Sequence, residues 1–142
     1  MSASYWIKKL KLKPHPEGGW YRETYRSRFS TAIYYLLEKR HRSRLHRIQS
    51  DEIWHFYAGD PLVVWGVGAG NKEHGFLLGK EDFQAVIPAG TWFGAYLPGE
   101  SQYVLVGCTV APAFEFRHFE LARREQLLNK FPRHQQMILK LT

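Results

Sequence analysis

The chain has 142 residues and a mass of 16.7 kDa, which corresponds to a single domain of ordinary size. Apolar residues make up 44% and aromatic residues 15% of the composition, which excludes an intrinsically disordered chain. The net charge of +7 favours acidic partners, such as nucleic acid, anionic lipid or a phosphorylated metabolite.

The sequence also predicts a location and a domain organisation. A single cysteine excludes an intrachain disulfide and favours the reducing cytoplasm. We find no secretory signal and no apolar stretch of the roughly 20 residues that cross a membrane, so no membrane partner is expected. No repeat or long linker divides the chain, and residues 1–142 are therefore predicted to form one domain.

Short helical segments are predicted at both ends of the chain. Near the N-terminus, a helix capped by Ser4 carries Trp6, Ile7 and Leu10 on one side and ends before Pro14. Near the C-terminus, residues 122–130 predict a second helix, ended by a proline, that packs outside the main body.

Between these segments, short runs rich in Tyr, Val, Ile, Phe and Trp alternate with Gly, Pro, Asn and Asp. This alternation is typical of antiparallel β-structure. Ten strands are predicted, at residues 20–28, 31–37, 43–48, 52–57, 62–68, 74–78, 83–87, 92–97, 103–110 and 114–119. Strands of this number and length favour an all-β barrel or jelly roll.

Strand alternation and chain position assign structural roles to the cysteine and to most histidines. Cys108 falls on the same strand face as Val104, Val106 and Val110, which predicts a small buried apolar side chain. Surface positions are predicted for the histidines in loops and termini and on the last strand, namely His15, His41, His74, His118 and His134.

The most informative segment runs from His46 to Gly59, with Glu52 six residues after the histidine. It resembles the first cupin motif, which has two histidines, a glutamate and a glycine, and Ile48 stands at the second histidine position. The segment from Pro88 to Phe93 resembles the second cupin motif, with Phe93 in place of its histidine.

These replacements bear on metal binding. Only His46 and Glu52 remain of the four usual metal-ligand positions, whereas a catalytic metal generally needs at least three protein ligands. Strand alternation places His55 on the opposite face from Glu52. We therefore predict no tightly bound metal and no cofactor.

Several segments resemble one family of small cupins of unknown function. They include Pro16-Glu-Gly-Gly19 and Asp51-Glu-Ile-Trp-His55, and further matching stretches cover residues 15–26, 31–37, 51–62, 86–92 and 106–112. The family is loosely labelled as predicted sugar epimerases because its barrel is similar to that of deoxysugar 3,5-epimerases. The resemblance implies a cupin-type antiparallel jelly-roll barrel with a short N-terminal helix and a C-terminal helical segment.

Two interpretations of His46 and Glu52 remain open. In the functional one, the carboxylate fixes the imidazole tautomer and makes His46 a base near neutral pH, while Tyr21 or Tyr34 returns a proton. In the structural one, His46 and Glu52 satisfy each other inside an apolar barrel. The expected ligand-binding side chains around the pair are Glu23, Ile48, Trp54, Phe56, Trp92 and Phe93.

The sequence supports competing functions. The first is a metal-independent isomerase or epimerase of a sugar-like or anionic metabolite, and the alternative is a non-enzymatic ligand-binding or storage module. Nucleic-acid binding through the basic residues 39–47 is disfavoured because that stretch lacks interleaved aromatic side chains. A homodimer, formed by edge pairing or by swapping the N-terminal strand, is expected because bare sheet edges promote aggregation.

Overall fold

In the computed structural model, which describes residues 1–142, two antiparallel sheets face each other as a jelly roll. The strands are β1 (Lys13–Pro14), β2 (Trp20–Arg26), β3 (Thr31–Glu38), β4 (Arg42–Arg47), β5 (Asp51–Gly59), β6 (Leu62–Val67), β7 (Glu73–Leu78), β8 (Gln84–Ile87), β9 (Trp92–Tyr96), β10 (Tyr103–Ala111) and β11 (Glu120–Leu121). The six-stranded sheet has the order β1-β2-β3-β10-β5-β8, and the five-stranded sheet has the order β11-β4-β9-β6-β7. The predicted all-β jelly roll is confirmed.

Three α-helices flank the sheets, at Ala3–Lys9 (α1), Arg124–Lys130 (α2) and Gln135–Leu141 (α3). The cap of α1 is Ser2, whose hydroxyl accepts a hydrogen bond from the Tyr5 amide, so the predicted cap at Ser4 was wrong. The sequence prediction also missed α3, because Pro132 begins a new helical turn as well as following α2. No helix has the length and the apolar content that crossing a membrane would require.

The predicted strand at residues 114–119 does not form. This stretch contains a 3₁₀ turn at Phe116–His118. The pairing of this part of the chain with β4 is limited to the two residues of β11, which follow the stretch. The phenylalanines there pack ring against ring, with 4.9 Å between the ring centroids of Phe114 and Phe116. Aromatic residues are enriched in strands, so a local aromatic cluster gives a false strand signal.

Alternating side chains build the interior between the two sheets. On β10, Val104, Val106, Cys108 and Val110 point into this core, whereas Leu105 points outward to a smaller cluster beneath α1. The prediction that Cys108 is buried is confirmed, since 3% of its surface is exposed.

The outer face of the five-stranded sheet is covered by α2 and α3. Leu45, Trp65 and Val67 from the sheet form one buried cluster with side chains from the C-terminal segment, namely Leu127, Phe131, Ile138 and Leu141. Burial of this apolar surface holds the C-terminal segment in place.

The cluster under α3 yields a stability prediction. Ile138 is fully buried, and its neighbour Leu139 is 41% exposed on the same helix. Ile138→Ala is expected to lower the free energy of unfolding by about 2–5 kcal/mol, because it leaves a cavity. Leu139→Ala serves as the matched control, with an expected change within about 0.5 kcal/mol in urea titrations. Equal effects of the two substitutions would contradict the packing of α3 on the sheet.

Candidate functional site

A cavity of about 350 Å³ lies inside the jelly roll and has the size of a small-molecule site. Its polar lining includes His15, Glu17, Ser43, His46 and Glu52. Both sheets contribute, since Glu52 lies on β5 of one sheet and His46 on β4 of the other.

The Pro16–Gly19 turn brings His15 and Glu17 to the cavity. Gly18 and Gly19 have φ angles of +104° and +81°, which favour glycine over other residues. Within the turn, the Glu17 amide donates a hydrogen bond to His15 Nδ1 at 3.0 Å. The hydroxyl of Tyr35 donates to the Gly18 carbonyl at 2.7 Å and anchors the turn to β3.

A β-bulge places both Ser43 and His46 in the cavity lining. Ser43 pairs with Ala95 and His46 with Phe93, so three steps along β4 match two steps along β9. The bulge lies against Gly94, where a Cβ atom would come within 2.5 Å of the Ser43 carbonyl oxygen. Glycine at this position therefore permits the close approach that creates the bulge.

His46 has a fixed tautomer. Its Nδ1 lies 2.7 Å from the Arg44 carbonyl oxygen, and because a carbonyl only accepts, Nδ1 is the donor. The neutral ring consequently carries its free acceptor at Nε2. The rings of Phe93 and Phe119 flank it, with centroid distances of 4.2 and 5.1 Å. Burial lowers the pKa of His46 to about 4, so the ring is neutral at physiological pH.

Glu52 has the opposite response to the same environment. Burial raises the pKa of its carboxyl to about 7, against which a hydrogen bond from the Cys108 thiol acts in the lowering direction. The expected direct pairing of His46 with Glu52 was wrong, because His46 bonds to a backbone carbonyl and Glu52 to Cys108. Glu52, rather than His46, is therefore the group that titrates near neutral pH.

His15 complements His46. Because His15 Nδ1 accepts from the Glu17 amide, the neutral ring carries its proton on Nε2 and is a donor there. Burial lowers the pKa of His15 to about 4. The cavity thus contains two neutral imidazoles of opposite tautomer, one with a free acceptor and one with a free donor.

Four of the other predicted site residues line the cavity, namely Tyr21, Glu23, Ile48 and Trp54. Both carboxylate oxygens of Glu23 are occupied by Arg26, at 2.7 and 2.9 Å. Tyr21 contacts His15, with 4.7 Å between the ring centroids.

The remaining four predicted site residues lie outside the lining. Tyr34 is on the outer face of β3 beneath Arg22, whose guanidinium lies 5.7 Å from its ring centroid. Trp92 belongs to the outer cluster under the C-terminal helices. Phe93 is fully buried behind His46, and Phe56 packs against Phe83. Each therefore has a packing role here.

The sequence interpretation missed His15, Glu17, Tyr35 and Ser43 as cavity residues. The expected surface position of His15 was wrong, because the turn that carries His15 and Glu17 folds inward. Tyr35 lies on the same face of its strand as the apolar Ile33 and Leu37, and this pattern could have identified Tyr35, instead of Tyr34, as a cavity residue. Ser43 reaches the cavity only because of the bulge, which no local pattern indicates.

The donor set does not fit a bound transition metal. Ile48 and Phe93 stand at two of the four positions that carry ligands in the cupin motifs, and aliphatic and phenyl groups do not coordinate metals. In residues 1–142, no group of three or more His, Cys, Asp or Glu side chains is arranged so that it could hold a metal ion.

Comparisons with known proteins agree with this architecture. The sequence model of the family described as "Cupin superfamily (DUF985)" matches residues 4–122. A hypothetical protein from Leishmania major is similar at 32% identity, with a TM-score of 0.93 and coverage of 100% of this chain and 99% of that chain. A protein from Shewanella oneidensis is similar at 35% identity, with a TM-score of 0.92 and coverage of 100% and 98%.

More distant structures share the fold alone. Oxalate decarboxylase from Bacillus subtilis is 15% identical, with a TM-score of 0.64, and the match covers 91% of this chain and 37% of that one. No protein of curated function matches the sequence.

The bulge yields a prediction for Gly94. Gly94→Ala is expected to lower the free energy of unfolding by about 1–3 kcal/mol and to shift the His46 ring resonances, because the new Cβ displaces β4. Gly75→Ala is the matched control, since a Cβ at Gly75 meets no atom within 4 Å. Unchanged His46 resonances in the Gly94→Ala variant would show that the bulge does not depend on this glycine.

The raised pKa of Glu52 predicts a pH-dependent stability. The pKa of Glu52 is about 7 in the folded protein and 4.5 ordinarily. Its contribution to the free energy of unfolding is therefore fully present below pH 4.5 and is lost as the pH rises through 7. His15 and His46 act oppositely, with contributions lost as the pH falls from 6.5 towards 4. Between pH 4.5 and 7, the free energy of unfolding of the unaltered protein is therefore expected to fall by about 3 kcal/mol relative to that of Glu52→Gln, as measured by urea titrations. A constant difference between the two proteins would contradict this assignment.

Proposed function

We propose that the barrel of this chain, which belongs to the family described as "Cupin superfamily (DUF985)", binds a small sugar-like metabolite and isomerises or epimerises it by proton transfer, without a metal ion. Tyr21, His46 and Glu52 would carry the reaction, and Trp54 and Ile48 would contact the ligand. All five side chains line the same cavity.

The main support is the buried Glu52 carboxyl with a pKa of about 7. A proton-transfer group works best when its pKa is close to the operating pH, since both protonation states are then populated.

A sequence of steps is consistent with these groups. Glu52, as the carboxylate, takes a proton from the carbon next to a carbonyl group of the ligand, and the electron pair of the broken C–H bond moves to the carbonyl oxygen. Tyr21 then gives a proton to the carbon, which restores the carbonyl group. Glu52 and Tyr21 return to their starting states by proton exchange with water.

His46 would orient the ligand during these steps. Its Nε2 is a hydrogen-bond acceptor, because Nδ1 is committed to the Arg44 carbonyl. His46 and Glu52 come from facing sheets, so a hydroxyl group held by His46 fixes the carbon against Glu52. The low pKa of His46 makes it a positioning residue and leaves proton abstraction to Glu52.

The reaction is tested by solvent isotope exchange. We expect the protein, incubated in D₂O with a panel of free and nucleotide-linked hexoses, to exchange a carbon-bound proton of at least one of them, detected by ¹H NMR. Glu52→Gln is expected to slow this exchange at least about 100-fold. The exchange rate of the unaltered protein should rise with pH and level off above an apparent pKa of about 7.

His55→Gln is the matched control, because His55 lies on the same strand and bonds outside the cavity to Thr109 at 3.2 Å. Its exchange rate should equal that of the unaltered protein. Saturable binding of a sugar without any exchange would contradict an enzymatic role and favour the ligand-binding module instead.

A further inference from the structure

The five indole N–H groups divide into three with partners and two without. The partnered ones are Trp6, which donates to the Tyr103 hydroxyl, Trp20, which donates to Glu38, and Trp65, which donates to Glu73. The indole nitrogens of Trp54 and Trp92 are buried and have no hydrogen-bond partner. Buried donors are normally satisfied, so each exception calls for an explanation.

The two unpartnered indoles differ in their surroundings. Trp54 is 2% exposed and lines the cavity, where a bound molecule can supply an acceptor. Trp92 lies in the outer cluster, and the Arg47 guanidinium covers its ring at 4.4 Å from the centroid. Trp92 is therefore an internal control: it has an unpartnered indole N–H that a ligand in the cavity does not reach.

The cavity also contains an unpartnered acceptor. Glu17 Oε2 is buried without a hydrogen bond, and its nearest cation is Arg44 Nε at 3.9 Å. This distance is too long for a hydrogen bond but close enough for the guanidinium to balance the carboxylate charge. Glu17 therefore needs a hydrogen-bond donor and does not need a second positive charge.

The cavity lining includes two cationic side chains, Lys13 and Arg22, besides the two histidines. His15 and His46 are neutral at physiological pH. Lys13 is exposed with its ammonium over the ring of Tyr21, and Arg22 lies over Tyr34 on the outer face. An anionic group beside Glu17 would lose its hydration and face a carboxylate, and the nearest guanidinium, that of Arg44, already balances that carboxylate.

We propose that the cavity takes a neutral polyhydroxy carbonyl compound, with an oxygen of the ligand accepting from Trp54 Nε1–H and a ligand hydroxyl donating to Glu17 Oε2. This inference rests on the proposed function for the identity of the pocket, and it narrows the expected sugar-like or anionic ligand to the neutral class. Phosphorylated and carboxylated analogues are expected to bind more weakly than the neutral compounds.

The test uses the ¹H–¹⁵N spectrum of the whole protein, in which two of the five indole cross-peaks are assigned with Trp54→Phe and Trp92→Phe. The probes are two matched sets, D-glucose with glucose 6-phosphate and D-glucuronate, and D-galactose with its corresponding phosphate and uronate. We expect at least one neutral sugar to move the Trp54 cross-peak downfield and to leave that of Trp92 in place. Its two anionic analogues should bind more weakly than the sugar itself.

The variants measure how much each hydrogen bond contributes to ligand affinity. Trp54→Phe should weaken binding of that neutral sugar about fivefold, as expected for one lost hydrogen bond. Glu17→Gln should also weaken binding, because it replaces a charged acceptor with a neutral one, and Trp92→Phe should leave binding unchanged. The proposal is overturned if no neutral sugar binds, if an anionic analogue binds more tightly, or if binding leaves the Trp54 cross-peak unmoved. Should Trp54→Phe fail to fold, the Trp54 cross-peak is assigned by replacing each of the other four tryptophans with phenylalanine, and the cross-peak of the unaltered protein still decides.

This result is separable from the proposed function. Isotope exchange that persists in Glu52→Gln would refute the proton-transfer role, whatever the Trp54 cross-peak does. A Trp54 cross-peak that responds only to anions would refute the ligand class, even where exchange depends on Glu52.

Discussion

Desolvation of ionisable side chains inside the jelly roll is the constraint from which the properties of the site follow. Burial disfavours whichever form of a group is charged, so one environment raises the pKa of Glu52 to about 7 and lowers that of His46 to about 4. Neither shift needs a charged partner. The result is a cavity whose acid titrates near neutral pH and whose imidazoles are neutral hydrogen-bonding groups.

The backbone fixes which of these groups accept and which donate. The carbonyl of Arg44 accepts a hydrogen bond from His46 Nδ1, and the amide of Glu17 donates a hydrogen bond to His15 Nδ1. Two local irregularities make these contacts available, a turn with two glycines and a bulge against Gly94. Glycine thus contributes to the chemistry of the cavity through the backbone geometry that it permits.

The sequence was sufficient to predict the fold and part of the site. Two-residue alternation placed Cys108 in the interior and His55 outside it, because a strand with one buried face has a fixed pattern. Alternation could not place Trp92, since both faces of its sheet are covered by apolar groups and a tryptophan fits either. The false strand at residues 114–119 has a similar origin in an aromatic cluster.

The electrostatics of the site lay beyond the reach of sequence patterns. The spacing of His46 and Glu52 suggested a pair, but whether two side chains meet depends on strand register and on competing backbone partners. Here the backbone carbonyl of Arg44 is the partner of His46, and the side-chain thiol of Cys108 is that of Glu52. Likewise, an unpartnered atom such as Trp54 Nε1 becomes visible only when every neighbouring donor and acceptor has been placed.

The most direct measurement of the central claim is a ¹³C NMR titration of the Glu52 side-chain carboxyl in the folded protein, assigned with Glu52→Gln. A midpoint near pH 7 is expected, well separated from the other glutamates. A midpoint near 4.5 would mean that water hydrates this carboxyl freely, and the acid–base role assigned to the cavity would then be wrong.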